Sequence, residues 1–324
     1  MRLNWGLFFW KDLWYTDAEN LFLCKGDDPM SKQQRADWLL VLVTAFWGST
    51  YYLTDQCLLE MSPMCLNAMR FVVAFIVLGI IFSKSLVKIN RVTLKYALII
   101  GAFLTGTYVF YNYGITRTSL TNASFVCALP AVFTPLLDFI IHRRRPGKKV
   151  SACLIICVIG LALMTLNERF RPALGDLFCT CTALCYSCDL LITEKAVATE
   201  GVDPLALGVA ELGVVGVLTT VMSFLIERPP LMPQSPRVWA FALFLGIFCT
   251  GVAFVIQTAQ QKYTTATHVG LIFTLEPVFS SLVAFFIAHE VLSLRGYIGG
   301  ILMLLSLVLM EVDVSALGKK KSLL

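Results

Sequence analysis

Apolar residues run in stretches of about 17 to 23 positions, close to the ~20 that a helix needs to cross ~30 Å of hydrocarbon, with charged or Pro-marked breaks between them. The stretches start near Trp38, Pro63, Leu94, Ser119 and Val150, then near Gly175, Pro204, Val238, Thr267 and Leu294. This pattern predicts an all-α polytopic membrane protein of about ten transmembrane helices, five on each side of an outer link over 167–174.

The two halves also share sequence. Leu129-Pro-Ala-Val-Phe-Thr134 returns as Leu275-Glu-Pro-Val-Phe-Ser280, and a fixed offset (264 − 118 = 146) pairs Thr118 with Thr264, Phe139 with Phe285 and Met164 with Met310. No gap is needed over about 47 positions, so a duplicated bundle is the expected origin. Because five spans is an odd number, the second copy enters from the opposite side, which makes the halves inverted repeats of the kind many secondary carriers use. The organisation expected is a tail over 1–30, a first repeat over 38–166, a second over 174–311 and a basic tail over 312–324.

Composition agrees with a lipid solvent: 57% of residues are hydrophobic and only 15% charged. Lys and Arg concentrate in alternate loops, at Lys84, Lys88, Arg91 and Lys95, over 143–149 and over 319–321, whereas the other side holds few. Both termini are therefore expected in the cytoplasm, and the net charge of +5 reports topology rather than a nucleic-acid footprint. A multi-pass protein of the plasma membrane follows, with the lipid bilayer and a small molecule as partners, no nucleic acid, and a homodimer as an open alternative to a single chain. The short loops leave no room for a separate extramembrane domain.

Several function classes lose support on chemistry. There is no Gly-Lys-Ser/Thr phosphate loop for an ATP-driven pump and no Gly-x-Ser-x-Gly elbow for a hydrolase. The three histidines, His142, His268 and His289, are scattered, so no metal or other cofactor is expected and the chain reads as no enzyme. Cys181, Cys185 and Cys188 share a helix face, where small buried hydrophobes explain them better than redox or metal chemistry does. The aromatic segment over 1–29, with Trp5, Trp10 and Trp14, is too short to span; it is either an interfacial helix or an extension upstream of a natural start at Met30.

Ala45-Phe-Trp-Gly-Ser-Thr50 in the first span, Pro63 followed by Ala68-Met-Arg-Phe71 in the second, the Pro-Val-Phe cores of the fourth and ninth, and Gly296-Tyr-Ile-Gly-Gly300 together resemble the EamA family of the drug/metabolite transporter superfamily. The likeness runs from Trp38 to Glu311. It implies a ten-helix basket around a central cavity, with export of small metabolites or drug-like compounds independent of ATP hydrolysis. One departure is His289-Glu290, aligned with Arg143-Arg144 in the first copy, where the family usually shows Gly-Glu.

Symmetry then nominates residues. Anchoring on Pro63 and Pro204 sets Arg70 opposite Glu211, and anchoring on Asp37 and Asp176 sets Trp47 opposite Tyr186 and Thr50 opposite Asp189. A charge inside a membrane helix costs about 2.5–3.5 kcal/mol on insertion scales and so faces a cavity or a partner. Arg70 is expected to hold an anionic group of the substrate, or else to tie neighbouring helices. Trp47, Tyr186, Tyr111 and Glu211 complete the expected substrate site, built from the first, second, third, sixth, seventh and ninth helices. Tyr108, Phe110, Tyr111 and Tyr113 also fit an interface belt.

Glu276, Glu211 and Asp189 are the candidates for proton coupling, with Glu276 nearest the midplane; a structural hydrogen bond for Glu276, and an escape of Asp189 toward Lys195 at the cytoplasmic edge, are the plainer readings. Pro130, Pro135 and Pro277 mark expected helix breaks, because proline removes a backbone donor and frees carbonyls. The function expected is that of a secondary transporter, with a carrier-fold receptor or scaffold lacking transport as the alternative.

Overall fold

The computed structural model describes residues 31–115, 117, 126–143, 146–165, 174–227, 232–288 and 293–311. The aromatic segment over 1–29, most of the 167–174 link, Arg144, His289, Glu290 and the basic tail lie outside the described residues.

The helices follow the apolar stretches. They are α1 (Lys32–Leu58), α2 (Pro63–Ile81), the short α3 (Ser83–Val87), α4 (Arg91–Ile115), α5 (Pro130–His142), α6 (Lys148–Thr165), α7 (Leu174–Val197) and α8 (Pro204–Ile226). Then come α9 (Pro236–Phe244), a π-helical stretch Leu245–Val252 running into α10 (Ala253–Gln260), α11 (Ala266–Phe273), α12 (Glu276–Val283) and α13 (Leu294–Glu311). Among the described residues, six helical stretches are long and apolar enough to cross a membrane: Pro63–Ile81, Arg91–Gly114, Leu174–Val197, Pro204–Ile226, Pro236–Gln260 and Ala266–Ile287.

Local sequence explains where these helices start. Ser31 and Gln34 form a reciprocal capping box at the head of α1. Pro63, Pro204 and Pro236 occupy the first helical positions of α2, α8 and α9, where a missing N–H costs nothing. The outer faces are the reverse of a soluble protein's: Ile80, Phe224, Phe286 and Ile301 are all more than 60% exposed. Helices satisfy their own backbone groups, so such a surface is stable in lipid.

The core is continuous. Trp47, Phe71, Leu104, Leu190, Leu212, Phe254 and Phe273 belong to one buried cluster contributed by α1, α2, α4, α7, α8, α10 and α11. The closest crossings use glycine. A Cβ placed on Gly48 would stand 2.5 Å from Phe279 Cβ of α12, and one on Gly160 would stand 2.7 Å from Gly299 O of α13. At those two points backbone meets neighbour directly, as expected where helices pack without a hydrophobic driving force between them.

The bundle has two ends. Helices α2, α7 and α9 begin at the first end, where α1, α4 and α8 finish; α1, α4, α8 and α11 begin at the second. Carboxylates seal several helix starts across the chain. At the first end Glu227 accepts from Met64 N at 2.7 Å and Cys65 N at 2.9 Å, and Glu60 accepts from Gln234 N at 2.7 Å and Ser235 N at 2.8 Å. At the second end Glu194 accepts from Ala266 N at 2.9 Å. A negative group there meets the positive end of the helix dipole and satisfies donors that the helix itself leaves open.

Candidate functional site

One cavity lies inside the bundle, about 690 Å³ counting the part open to solvent. Its lining comes from both halves of the chain and includes Trp47 and Thr50 of α1, Arg70 of α2, Tyr108 and Tyr111 of α4, Tyr186 of α7, Phe254 of α10 and Glu276 of α12. Arg70 stands seven residues from the start of α2 and Tyr111 four from the end of α4, so the cavity is displaced toward the first end. At the second end the bundle is closed, with Gln260, Gln261, Asp37 and His268 all buried.

The π-helical stretch arranges the cationic side. In a π turn the backbone hydrogen bonds shift register, which frees a carbonyl for another donor. Trp47 Nε1 donates to Cys249 O at 2.9 Å, and Arg70 Nε donates to Thr250 Oγ1 at 3.1 Å. The guanidinium also sits 5.5 Å from the centre of the Tyr108 ring, a cation–π distance. Arg70 is 3% exposed, and its Nη2 has no hydrogen-bond partner among the described residues. A buried guanidinium nitrogen without a partner, in a residue that lines a cavity, is a donor that a carboxylate or phosphate oxygen would satisfy.

Aromatic rings form the walls and floor. The Trp47 ring centre lies 4.7 Å from that of Phe273, 5.3 Å from Phe254 and 6.1 Å from Tyr186, while Phe71 meets Tyr108 edge-on at 4.9 Å. Such pairs hold their rings in place beyond what area burial contributes. The surface they present is flat, rigid and apolar, with the polar atoms set around it.

Of the residues expected from sequence, the structure brings Arg70, Trp47, Tyr111, Tyr186 and Glu276 to this one cavity. Glu211 and Asp189 are not part of its lining; they lie buried together behind Tyr186, at 1% and 2% exposure. Pro277 follows Glu276 at the head of α12, immediately after the turn Thr274-Leu275 that interrupts the span. Pro130 likewise opens α5, whereas Pro135 lies within α5 without ending it. Asp138 bonds His142 at 2.8 Å and lines a separate cleft with Glu194 and Lys195 at the second end.

Sequence reasoning did not single out Thr107, Cys127, Thr182 or Phe254, which also line the cavity. The signal for α4 was present: Leu104, Thr107, Tyr108 and Tyr111 follow the i, i+3, i+4, i+7 spacing of one helix face. Tyr108 and Tyr111 therefore turn inward, while Phe110 and Tyr113 turn to Phe178 at the margin. Phe254 carried no such signal, because its orientation depends on the π stretch before it.

A bundle of membrane-spanning helices around an internal cavity lined from both halves is the architecture of a polytopic membrane transporter. The chain belongs to the EamA-like transporter family, whose model matches residues 34–166 and again 173–312. It is thus a transporter rather than an enzyme, a multi-pass protein of the plasma membrane. Similar proteins include an uncharacterized transporter of Archaeoglobus fulgidus, 24% identical over 283 residues (87% of this chain, 88% of that one), and one of Methanothermobacter thermautotrophicus, 21% identical over 287 residues (82% of each). An uncharacterized transporter of Clostridium kluyveri is 22% identical over 278 residues, 81% of this chain and 88% of its own. Among solved structures, one described only as the crystal structure of a protein aligns with a TM-score of 0.74 at 18% identity, covering 86% of this chain and 98% of that one, a likeness of fold.

Proposed function

We propose that this chain is a secondary transporter that exports small organic molecules bearing an anionic group, by alternating access of two inverted five-helix repeats with both termini in the cytoplasm. The observation that carries the reading is Arg70, whose buried Nη2 has no hydrogen-bond partner among the described residues, in the lining of a cavity walled by aromatic rings. The guanidinium would take the anion and the rings an apolar or aromatic body, whether of a metabolite or of a drug-like compound.

The helix packing supports inverted repeats. Exchanging the halves maps α4 on α7 onto α9 and α10 on α1, α1 on α12 onto α7 on α5, and α2 on the π stretch onto α8 on α4. The pairs α2 with α8 and α6 with α13 map onto themselves. With the lysine-rich loops inside, the cavity leans toward the outer face and the second end is the cytoplasmic one. A homodimer would be an arrangement of two such carriers. Coupling to protons through a buried carboxyl, Glu276 in the cavity wall or the deeper Asp189 and Glu211, belongs to this reading.

Untargeted metabolite profiling of medium and cytoplasm tests it, with cells expressing the chain set beside cells expressing Arg70→Ala at matched membrane abundance. The expected result is one or more organic anions that cross only with the intact chain. Equal profiles in both strains and in the empty host, across acidic and neutral media, would favour a receptor or scaffold on a carrier fold.

A further inference from the structure

Behind Tyr186, on the side away from the cavity, the chain buries a cluster of hydrogen-bond acceptors that has too few hydrogens. Asp189 and Glu211 come from adjacent helices α7 and α8, and neither has a basic partner among the described residues. Glu211 Oε1 accepts from Thr258 Oγ1 at 2.8 Å, and the neighbouring Gln257 side chain faces the Asp189 carboxyl. That leaves Asp189 Oδ1 and Glu211 Oε2 without a donor. Gln261 lies one turn further along the same face of α10, its Nε2 on Leu190 O at 2.9 Å, and its Oε1 is also without a donor. Two carboxyl oxygens and one amide oxygen are thus buried without a donor among the described residues. Buried acceptors are almost always satisfied, and two carboxylates cannot both stay ionised where water is excluded.

Among the described residues, the basic side chains nearest the pair are engaged elsewhere. Arg70 on α2 is turned to Thr250 and the Tyr108 ring, and His268 on α11 is engaged with Asp37 and Gln33. On α5, Asp138 and His142 pair with each other in the separate cleft that also takes Lys195. Near Asp189, α4 and α7 place the Tyr108 and Tyr186 phenols and the Cys185 and Cys188 thiols, with Glu194 turned to Ala266 N, and α10 offers neutral amides and a hydroxyl. Lys84 on α3, the small helix packed on α8, occupies the rim at the second end.

We propose that Asp189 and Glu211 hold one proton, on one carboxyl or the other, and that this pair, rather than Glu276, is the carrier's proton-coupling site. The inference rests on the transport reading above. One proton, on either carboxyl, supplies a missing hydrogen and removes a buried charge. Tyr186 Oη donates to Gln257 Oε1 at 3.0 Å, so the amide that faces Asp189 is held by a residue of the cavity wall. Cavity occupancy and proton occupancy are thereby linked through Tyr186 and Gln257. When the second end opens, water reaches the pair, it ionises and the proton leaves on that side. The closed second end is favoured by the protonated form and the open one by the ionised form. No bond other than O–H forms or breaks, and the proton comes from and returns to water.

Infrared difference spectroscopy on the purified full-length chain in lipid nanodiscs tests this without a substrate. The expected spectrum at neutral pH has a protonated-carboxyl carbonyl band that is lost in the double variant Asp189→Asn/Glu211→Gln and kept in Glu276→Gln. Tyr186→Phe is expected to keep the band and shift its frequency, because Gln257 is released; this variant leaves the acids in place and guards against a folding artefact in the double one. A band that survives the double substitution, or disappears with Glu276→Gln alone, overturns the assignment. So does the absence of a band together with thermal stabilisation by Na⁺ at constant ionic strength, which would make the cluster a metal-cation site. A band that behaves as expected in a chain that moves nothing would sink the transport reading and leave the proton site. Flux with an unaffected band would do the opposite.

Discussion

At the scale of the residue, Arg70 combines two tasks that only a guanidinium can perform together. Its Nε is fixed on Thr250 while its buried Nη2 keeps a donor unused among the described residues. Lysine has a single point-like ammonium and would have to choose between them. Arg70→Lys is therefore expected to lower transport at least about tenfold, the equivalent of one charge-assisted hydrogen bond, at unchanged membrane abundance. Flux assays on the substrate found by profiling measure it. Trp47→Phe keeps an aromatic floor but orphans Cys249 O, and it is expected to cost about 1 kcal/mol of stability, read as a small drop in melting temperature.

Elements are held by tight crossings and by carboxylates at helix starts. Gly160 meets Gly299 O so closely that a side chain must push α6 away from α13. Gly160→Val is expected to destabilise by about 1–3 kcal/mol, visible as a lower unfolding temperature in nanodiscs. At the first end, the backbone N–H groups of Ser235 and Gln234 at the head of α9 hold the Glu60 carboxyl below its ordinary range. A depressed acid contributes stability above its unfolded pKa, and that contribution is lost as pH falls through the folded value. Glu60→Gln is thus expected to melt earlier than the wild type at neutral pH, with the gap closing only as pH falls below the ordinary glutamate value of about 4.3 and through the lowered folded one. A pH series of thermal melts on both proteins decides this.

For the molecule as a whole, the asymmetry between the two ends defines the state. The cavity leans toward the first end, and the second end is closed by links among α1, α7, α10 and α11. Glu194 on Ala266 N and His268 beside Asp37 at 3.8 Å tie the head of α11 to its neighbours. Glu194→Ala is expected to shift the population toward an open second end. A cysteine placed at the buried Thr193 would then react severalfold faster with a polar thiol reagent applied from that side. An unchanged rate would mean that the closure lies elsewhere.

The sequence by itself determined the class. Span-length apolar runs separated by charged breaks leave a chain no soluble alternative, and a gapless offset of 146 between Thr118 and Thr264 is visible without coordinates. It also reached Arg70, Trp47, Tyr111, Tyr186 and Glu276, because an ionisable or symmetry-related aromatic residue inside a span is costly or conspicuous wherever its helix points. What only the tertiary structure decided is which way those helices turn. Phe254 joins the cavity because the π stretch shifts the register of the helix behind it, and no periodicity rule anticipates that shift. Glu211, expected in the substrate site opposite Arg70, instead lies buried outside the cavity lining, its carboxyl on Thr258, since α8 packs against α10 there. Depth in the membrane can be counted along one chain segment. Proximity between segments exists only once the helices have packed.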